Sequence, residues 1–171
     1  MDDASINPIL IIAAFVVPLL LAAAWDAATY RIPNLLTGMM ALAFVPAALL
    51  APGEVSWLWH LGAAAGVLAA GALAFEHRLM GGGDVKLAAA CALWLGPVTP
   101  AFLMMMALGG GLLALALLLG RRLLPGVLML LPNATGTSVP RLLTPGQAVP
   151  YGLAIAGSGV LLADSLPFLV P

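Results

Sequence analysis

Four apolar stretches without a single Asp, Glu, Lys or Arg dominate this chain: Pro8 to Trp25, Leu35 to Gly53, Val55 to Phe75, and Leu87 to Gly120. Such stretches restrict the fold more than any other feature. A run of about 20 apolar residues is long enough to cross a hydrocarbon core as a helix, with every backbone polar group satisfied within the segment. With 63% of its 171 residues hydrophobic and 8% charged, the chain departs far from the composition of a soluble domain. A membrane β-barrel would need short segments that alternate apolar and polar positions, and these runs do not alternate. The expected fold class is therefore all-α, a polytopic integral membrane protein of about six transmembrane helices.

The spans are expected near 8–26, 34–51, 57–77, 84–96, 99–119 and 150–168, within one membrane-embedded domain covering 1–171. Turn chemistry marks the breaks: Ile32-Pro33-Asn34, Ala51-Pro52-Gly53, Gly81-Gly82-Gly83 and Gly96-Pro97. A broad break over 121–149 carries Pro125, Pro132, Pro140 and Pro145 and reads as a cytoplasmic loop. Its apolar part, Leu123 to Leu131, has room for a short interfacial helix. The fourth span is short. A helix over 84–96 reaches roughly 20 Å, against a core of about 30 Å, so Asp84 is expected to lie recessed. Joining 84–119 into one helix is disfavoured by Gly96-Pro97.

Charge sets the expected orientation. With six spans, Arg31, Arg78, Lys86, Arg121, Arg122 and Arg141 fall on one side, which the positive-inside rule makes the cytoplasm. Asp2, Asp3, Glu54 and Asp164 fall on or near the other. Trp57, Trp59 and Trp94 are expected near the outer interface, with His60 close by, and Trp25 and Tyr30 near the inner one. The acidic start, Asp2-Asp3, is unlike the basic beginning of a signal peptide, so the first run reads as a retained helix.

Two acids stand out against this background. Trp25-Asp26 closes the first apolar run, and Asp84 opens the fourth. An ionisable residue at membrane depth costs about 2.5–3.5 kcal/mol at a helix centre, which makes it a functional candidate. Two carboxyls within reach of one another can share a proton, one serving as base and the other as acid. The local helix fields favour Asp84 as the carboxylate and Asp26 as the acid. Blander readings exist. Asp84 suits an N-cap, and Asp26 can pair with Arg31 or reach the interface. Arg31 and Lys86 fit either carboxylate stabilisation or membrane anchoring.

Other classes of function fit poorly. A net charge of −1 and the lack of a basic run argue against nucleic acid. Gly81-Gly82-Gly83 has neither the Lys-Thr pair nor the preceding strand of a phosphate loop. The single cysteine, Cys91, excludes an intrachain disulfide and reads as a buried core thiol. No metal site is expected at His60 or His77, and no cofactor is called for. The methionines Met104, Met105 and Met106 read as membrane filling. Gly62, Gly66 and Gly109-Gly110-Gly111 read as close-packing positions.

Three segments carry a family resemblance. Asp26-Ala27-Ala28-Thr29-Tyr30-Arg31-Ile32-Pro33-Asn34, Gly81-Gly82-Gly83-Asp84-Val85-Lys86-Leu87 and Val149-Pro150-Tyr151-Gly152 occur in this order at the ends of the expected spans. Together they resemble the type IV prepilin peptidases, intramembrane aspartyl proteases with a Gly-x-Gly-Asp motif. The resemblance implies Asp26 and Asp84 as catalytic residues. It implies supporting or substrate-binding roles for Gly81, Gly83, Lys86, Arg31, Pro150, Tyr151 and Gly152. It further implies a prepilin or pseudopilin substrate, cut at the cytoplasmic face of a bacterial inner membrane. Larger family members carry a domain with paired Cys-x-x-Cys motifs and a methyltransferase activity. Cys91 stands alone, so the chain resembles the short, peptidase-only forms serving tight-adherence (Flp-type) pili, and methylation is not expected. The alternative from another class is a small proton-coupled transporter in which the two aspartates carry protons. A third is a non-catalytic membrane subunit of a pilus or secretion assembly.

Overall fold

The computed structural model describes residues 8–129, 144 and 149–169. In chain order the helices are α1 (Pro8–Thr29), α2 (Asn34–Leu50), α3 (Trp57–Glu76), α4 (Gly82–Leu95), α5 (Thr99–Met129) and α6 (Gly152–Leu161). Two 3-10 turns, Gly96–Val98 and Ala163–Ser165, follow α4 and α6. No strand occurs among the described residues, and the chain is an all-α membrane protein. Three stretches are long and apolar enough to cross a bilayer alone: α1, α3 and the α4–α5 continuum from Gly82 to Leu123. α2 and α6 are shorter apolar helices.

α4 is the centre of the bundle and touches each of the other five helices. Its side chains from Leu87 to Ala92 are all buried. Four alanines and Cys91 in that stretch let neighbouring backbones come close, which suits a helix surrounded on every side. Cys91 is a buried free thiol, as expected. α3 is the opposite case. It packs along α4 through half-buried Ala63, Ala64, Val67, Gly71 and Ala74, yet His60 is its one buried residue and most of the others are exposed.

Local chemistry explains the helix ends. Tyr30 takes the left-handed region at φ 55°, and its N–H donates to the Asp26 carbonyl (2.7 Å), closing α1. Pro33 then holds φ −63°, ψ 133° as the cap of α2 and keeps Ile32 out of helical geometry. Arg78, at φ 59°, ends α3 in the same left-handed way. Gly96, at φ 47°, turns the chain between α4 and α5, so the expected break at Gly96-Pro97 is present.

Two boundaries differ from expectation. α5 continues to Met129 where a loop was expected from 121, because Leu and Arg are both good helix formers and a long arginine can reach water without ending a helix. The rest of the expected 121–149 loop lies mostly outside the described residues. α6 ends at Leu161 rather than 168. Pro167 holds Leu166 extended (φ −60°, ψ 121°), and the chain folds back so that the Gly53 N–H donates to the Phe168 carbonyl (3.1 Å).

The core is densest where α1 starts and α4 ends. Phe44 stands among four rings, with centroids at 5.9 Å from Trp57, 5.3 Å from His60, 5.8 Å from Trp94 and 6.0 Å from Phe168. Phe15 adds to the stack at 5.4 Å from Trp94. Trp94 was expected in an interfacial belt. It is instead wholly buried, and its indole N–H donates to the Met40 carbonyl (2.8 Å). His60 is likewise buried, with Nδ1 at 2.7 Å from the Leu93 carbonyl. Trp25, Trp57 and Trp59 are exposed, as a lipid-interface position requires.

Candidate functional site

The other end of the bundle gathers the polar residues. Asp26 lies on the last turn of α1, and Asp84 on the first turn of α4. Both line a cavity of about 1050 Å³ together with Tyr30, Met80, Gly81, Met106 and Tyr151. Phe75, Glu76, Arg78 and Leu79, from the end of α3 and the loop beyond it, add to the wall. A smaller cavity of about 330 Å³ is lined by Arg31, Ile32, Gly82 and Gly83, and again by Asp26, Tyr30, Gly81 and Asp84. Those last four residues belong to both cavities and form the wall they share.

Each carboxyl is held by a backbone N–H at the start of a helix. The Gly152 N–H, in the first turn of α6, donates to Asp26 Oδ2 (3.0 Å). Asp84 is not the N-cap of α4; Gly81 is. Asp84 sits three residues further on and reaches back to the Gly81 N–H, which is half of a capping box. A side chain at either glycine would crowd the acid. A Cβ on Gly152 would lie 2.8 Å from Asp26 Oδ2, and one on Gly81 would lie 2.7 Å from Asp84 Oδ2. Since both acids face a helix N-terminus, the dipole of α1 alone does not divide their roles. The sequence could not reveal this, because the bond to Asp26 comes from 126 positions away.

The remaining site residues divide into two groups. Tyr151 lines the large cavity and caps α6, while Arg31 and Gly83 line the small one. Gly83 also packs under Ile32, where a Cβ would come within 3.0 Å. Pro150 is buried and lines neither cavity; its carbonyl accepts from the Leu153 N–H (3.3 Å). Lys86 points away from the acids and donates to Asn34 Oδ1 (2.9 Å). That bond ties the segment after Asp26 to the segment after Asp84, a tether that neither carboxylate stabilisation nor membrane anchoring anticipated.

Tyr30, Met106 and Arg78 are cavity residues that the sequence reading assigned elsewhere or passed over. For Tyr30 a signal existed. It lies four residues after Asp26, a spacing that puts two side chains on one helix face. Met106 belongs to a methionine run whose neighbours Met104 and Met105 are exposed, so only its place on α5 distinguishes it. Among the glycines read as packing positions, Gly110 does receive a neighbour, the Tyr151 ring. A Cβ on Gly62, Gly66, Gly109 or Gly111 would meet nothing within 4 Å.

The fold and site define an all-α membrane protein with two carboxylic acids in the wall of one large cavity. The sequence model of the type IV leader peptidase family matches residues 13–119, a segment that contains both acids. The chain belongs to that family, and it is a type IV leader peptidase-like protease. The Val149-Pro150-Tyr151-Gly152 segment lies beyond the matched residues. No curated protein and no solved structure matches the chain.

Proposed function

We propose that the protein is an aspartic endopeptidase that removes the leader peptide of type IV, Flp-like prepilins, with Asp26 and Asp84 as its catalytic pair. The observation that carries this reading is the shared cavity wall, in which each carboxyl is held by a backbone N–H and both face the same space. One carboxyl is ionised and takes a proton from water as its oxygen adds to the scissile carbonyl carbon. The other is protonated and delivers its proton to the carbonyl oxygen. The pair then reverses: the first acid protonates the departing nitrogen while the second recovers a proton from the gem-diol, and the C–N bond breaks. No covalent enzyme intermediate forms. Membership of a peptidase family favours this chemistry over proton-coupled transport.

The cavity volume of about 1050 Å³ suits an extended peptide better than a single small solute. Arg31, Arg78 and Lys86 cluster at the same end as the acids, which supports a cytoplasmic active site in a bacterial inner membrane. Tyr151, Gly81 and Gly83 line the path a substrate backbone would follow, and Arg31 supplies positive charge beside it. Gly152 holds Asp26, and Pro150 and Lys86 support the site from outside the cavities. The test is co-expression of the full chain with an Flp-type prepilin, following the leader on a gel. Asp26→Asn and Asp84→Asn should each slow cleavage by on the order of 10²–10⁴-fold. Cleavage at the normal rate by either folded variant rejects the pair.

A further inference from the structure

Gly110 is a position on α5 that the two-acid chemistry leaves unused. It is the middle one of three consecutive glycines inside the helix, where glycine is less favourable than alanine. The three do not share their surroundings. A Cβ on Gly109 or Gly111 would meet nothing within 4 Å. One on Gly110 would overlap the far end of the Tyr151 side chain, at Cζ and the hydroxyl oxygen. Gly110 is buried, and Tyr151 is half-buried.

Helical spacing places this contact at the wall of the acid cavity. Met106, Gly110 and Ala114 follow at four-residue steps and so share one face of α5. Met106 and Ala114 line the large cavity, and so does Tyr151. The phenol end of Tyr151 therefore rests against the α5 backbone, in the notch that Gly110 leaves between its two neighbours on that face. Tyr151 is also close to the chemistry. It directly precedes Gly152, whose N–H donates to Asp26 Oδ2 (3.0 Å), and its side chain borders the same space as both carboxyls. Behind the phenol is helix backbone, and in front of it is open cavity. An added side chain at position 110 would push the ring forward into that space, because overpacking is relieved where there is room.

We propose that Gly110 is a specificity-determining residue: by seating the Tyr151 phenol against α5, it sets the room left for a substrate side chain next to the scissile bond. This rests on the reading of Asp26 and Asp84 as the catalytic pair. A peptide bond held between the two acids leaves a flanking side chain in the large cavity, beside Tyr151. With the phenol seated, the wall is recessed there and a bulky side chain fits. With the phenol pushed forward, a small one is favoured. Gly110 touches none of the reacting atoms and acts through Tyr151.

The test uses the full chain in membranes with Flp-type prepilins whose residue on one side of the cut, then on the other, is alanine or phenylalanine. The readout is the ratio of kcat/KM for the bulky substrate to that for the small one. A loss of folded enzyme lowers both alike and cancels in this ratio, so a merely structural role would not move it. Gly110→Ala should lower the ratio on one side of the cut by on the order of 10-fold. Tyr151→Leu removes the atoms that meet position 110, so it should raise the ratio on that same side. Adding Gly110→Ala to Tyr151→Leu should then change nothing further. An unchanged ratio on both sides in Gly110→Ala overturns the proposal, as does an equal effect of Gly110→Ala with and without Tyr151→Leu. If Gly110→Ala fails to fold, Tyr151→Leu decides alone, and an unchanged ratio there overturns it. Failure of the two-acid reading looks different: there, Asp26→Asn or Asp84→Asn would keep cutting.

Discussion

The two ends of this bundle are built on opposite terms. At the aromatic end, Phe15, Phe44, Trp94 and Phe168 are wholly or almost wholly buried and pack ring against ring. The polar groups there are only partly matched. The Trp94 indole has the Met40 carbonyl, and His60 Nδ1 must carry the proton it gives to Leu93, because a carbonyl can only accept, while the buried His60 Nε2 has no partner among the described residues. At the acid end the same helices diverge around a cavity. Two non-glycine residues adopt left-handed backbone, a tyrosine hydroxyl is orphaned, and two carboxyls face shared space. Packing that maximises stability leaves no room for a substrate. The difference implies that the aromatic end holds the helices in register so that the acid end can remain open.

The largest expected separation is at the acids. Asp26→Asn or Asp84→Asn should abolish leader cleavage, by on the order of 10²–10⁴-fold, with thermal unfolding close to the parent because the shape is kept. The reverse pattern is expected for Phe44→Ala. Removing the hub of the aromatic stack should cost about 3–5 kcal/mol of stability, while the fraction that remains folded keeps the parent kcat. A kcat per folded enzyme well below the parent's would show that the two ends are not separable. Gly152→Ala should come next. Its Cβ would press on Asp26 Oδ2 at 2.8 Å, and a displaced carboxyl is expected to lower kcat by about 10²-fold. Lys86→Met should have the smallest effect, at most about 1 kcal/mol in stability, since the exposed bond to Asn34 is what it removes.

Much of the comparison was legible in the sequence. Uncharged runs marked the helices, Gly96-Pro97 marked the break between α4 and α5, and the acids at the run ends marked the polar end. The parts that were not legible share a cause. Trp94 looked interfacial because an aromatic near a span end usually is, whereas α4 is enclosed over most of its length and position 94 faces inward. That Tyr30, expected near the inner interface, also lines both cavities depends on how the end of α1 meets the start of α4. The bond from Gly152 to Asp26 depends on how α6 docks against α1. Local sequence carries the spacing along a helix but not which distant helix end meets it.

The central claim is that Asp26 and Asp84 act as one unit on one peptide bond. A double-mutant cycle on leader cleavage in membranes tests it most directly, with Asp26→Asn, Asp84→Asn and the double variant measured beside the parent. If the acids share one step, each single change removes nearly all activity and the double variant is no slower than either, because residues acting as a unit are strongly non-additive. Independent, additive losses from the two changes, or a single variant that cuts at the parent rate, would contradict the account.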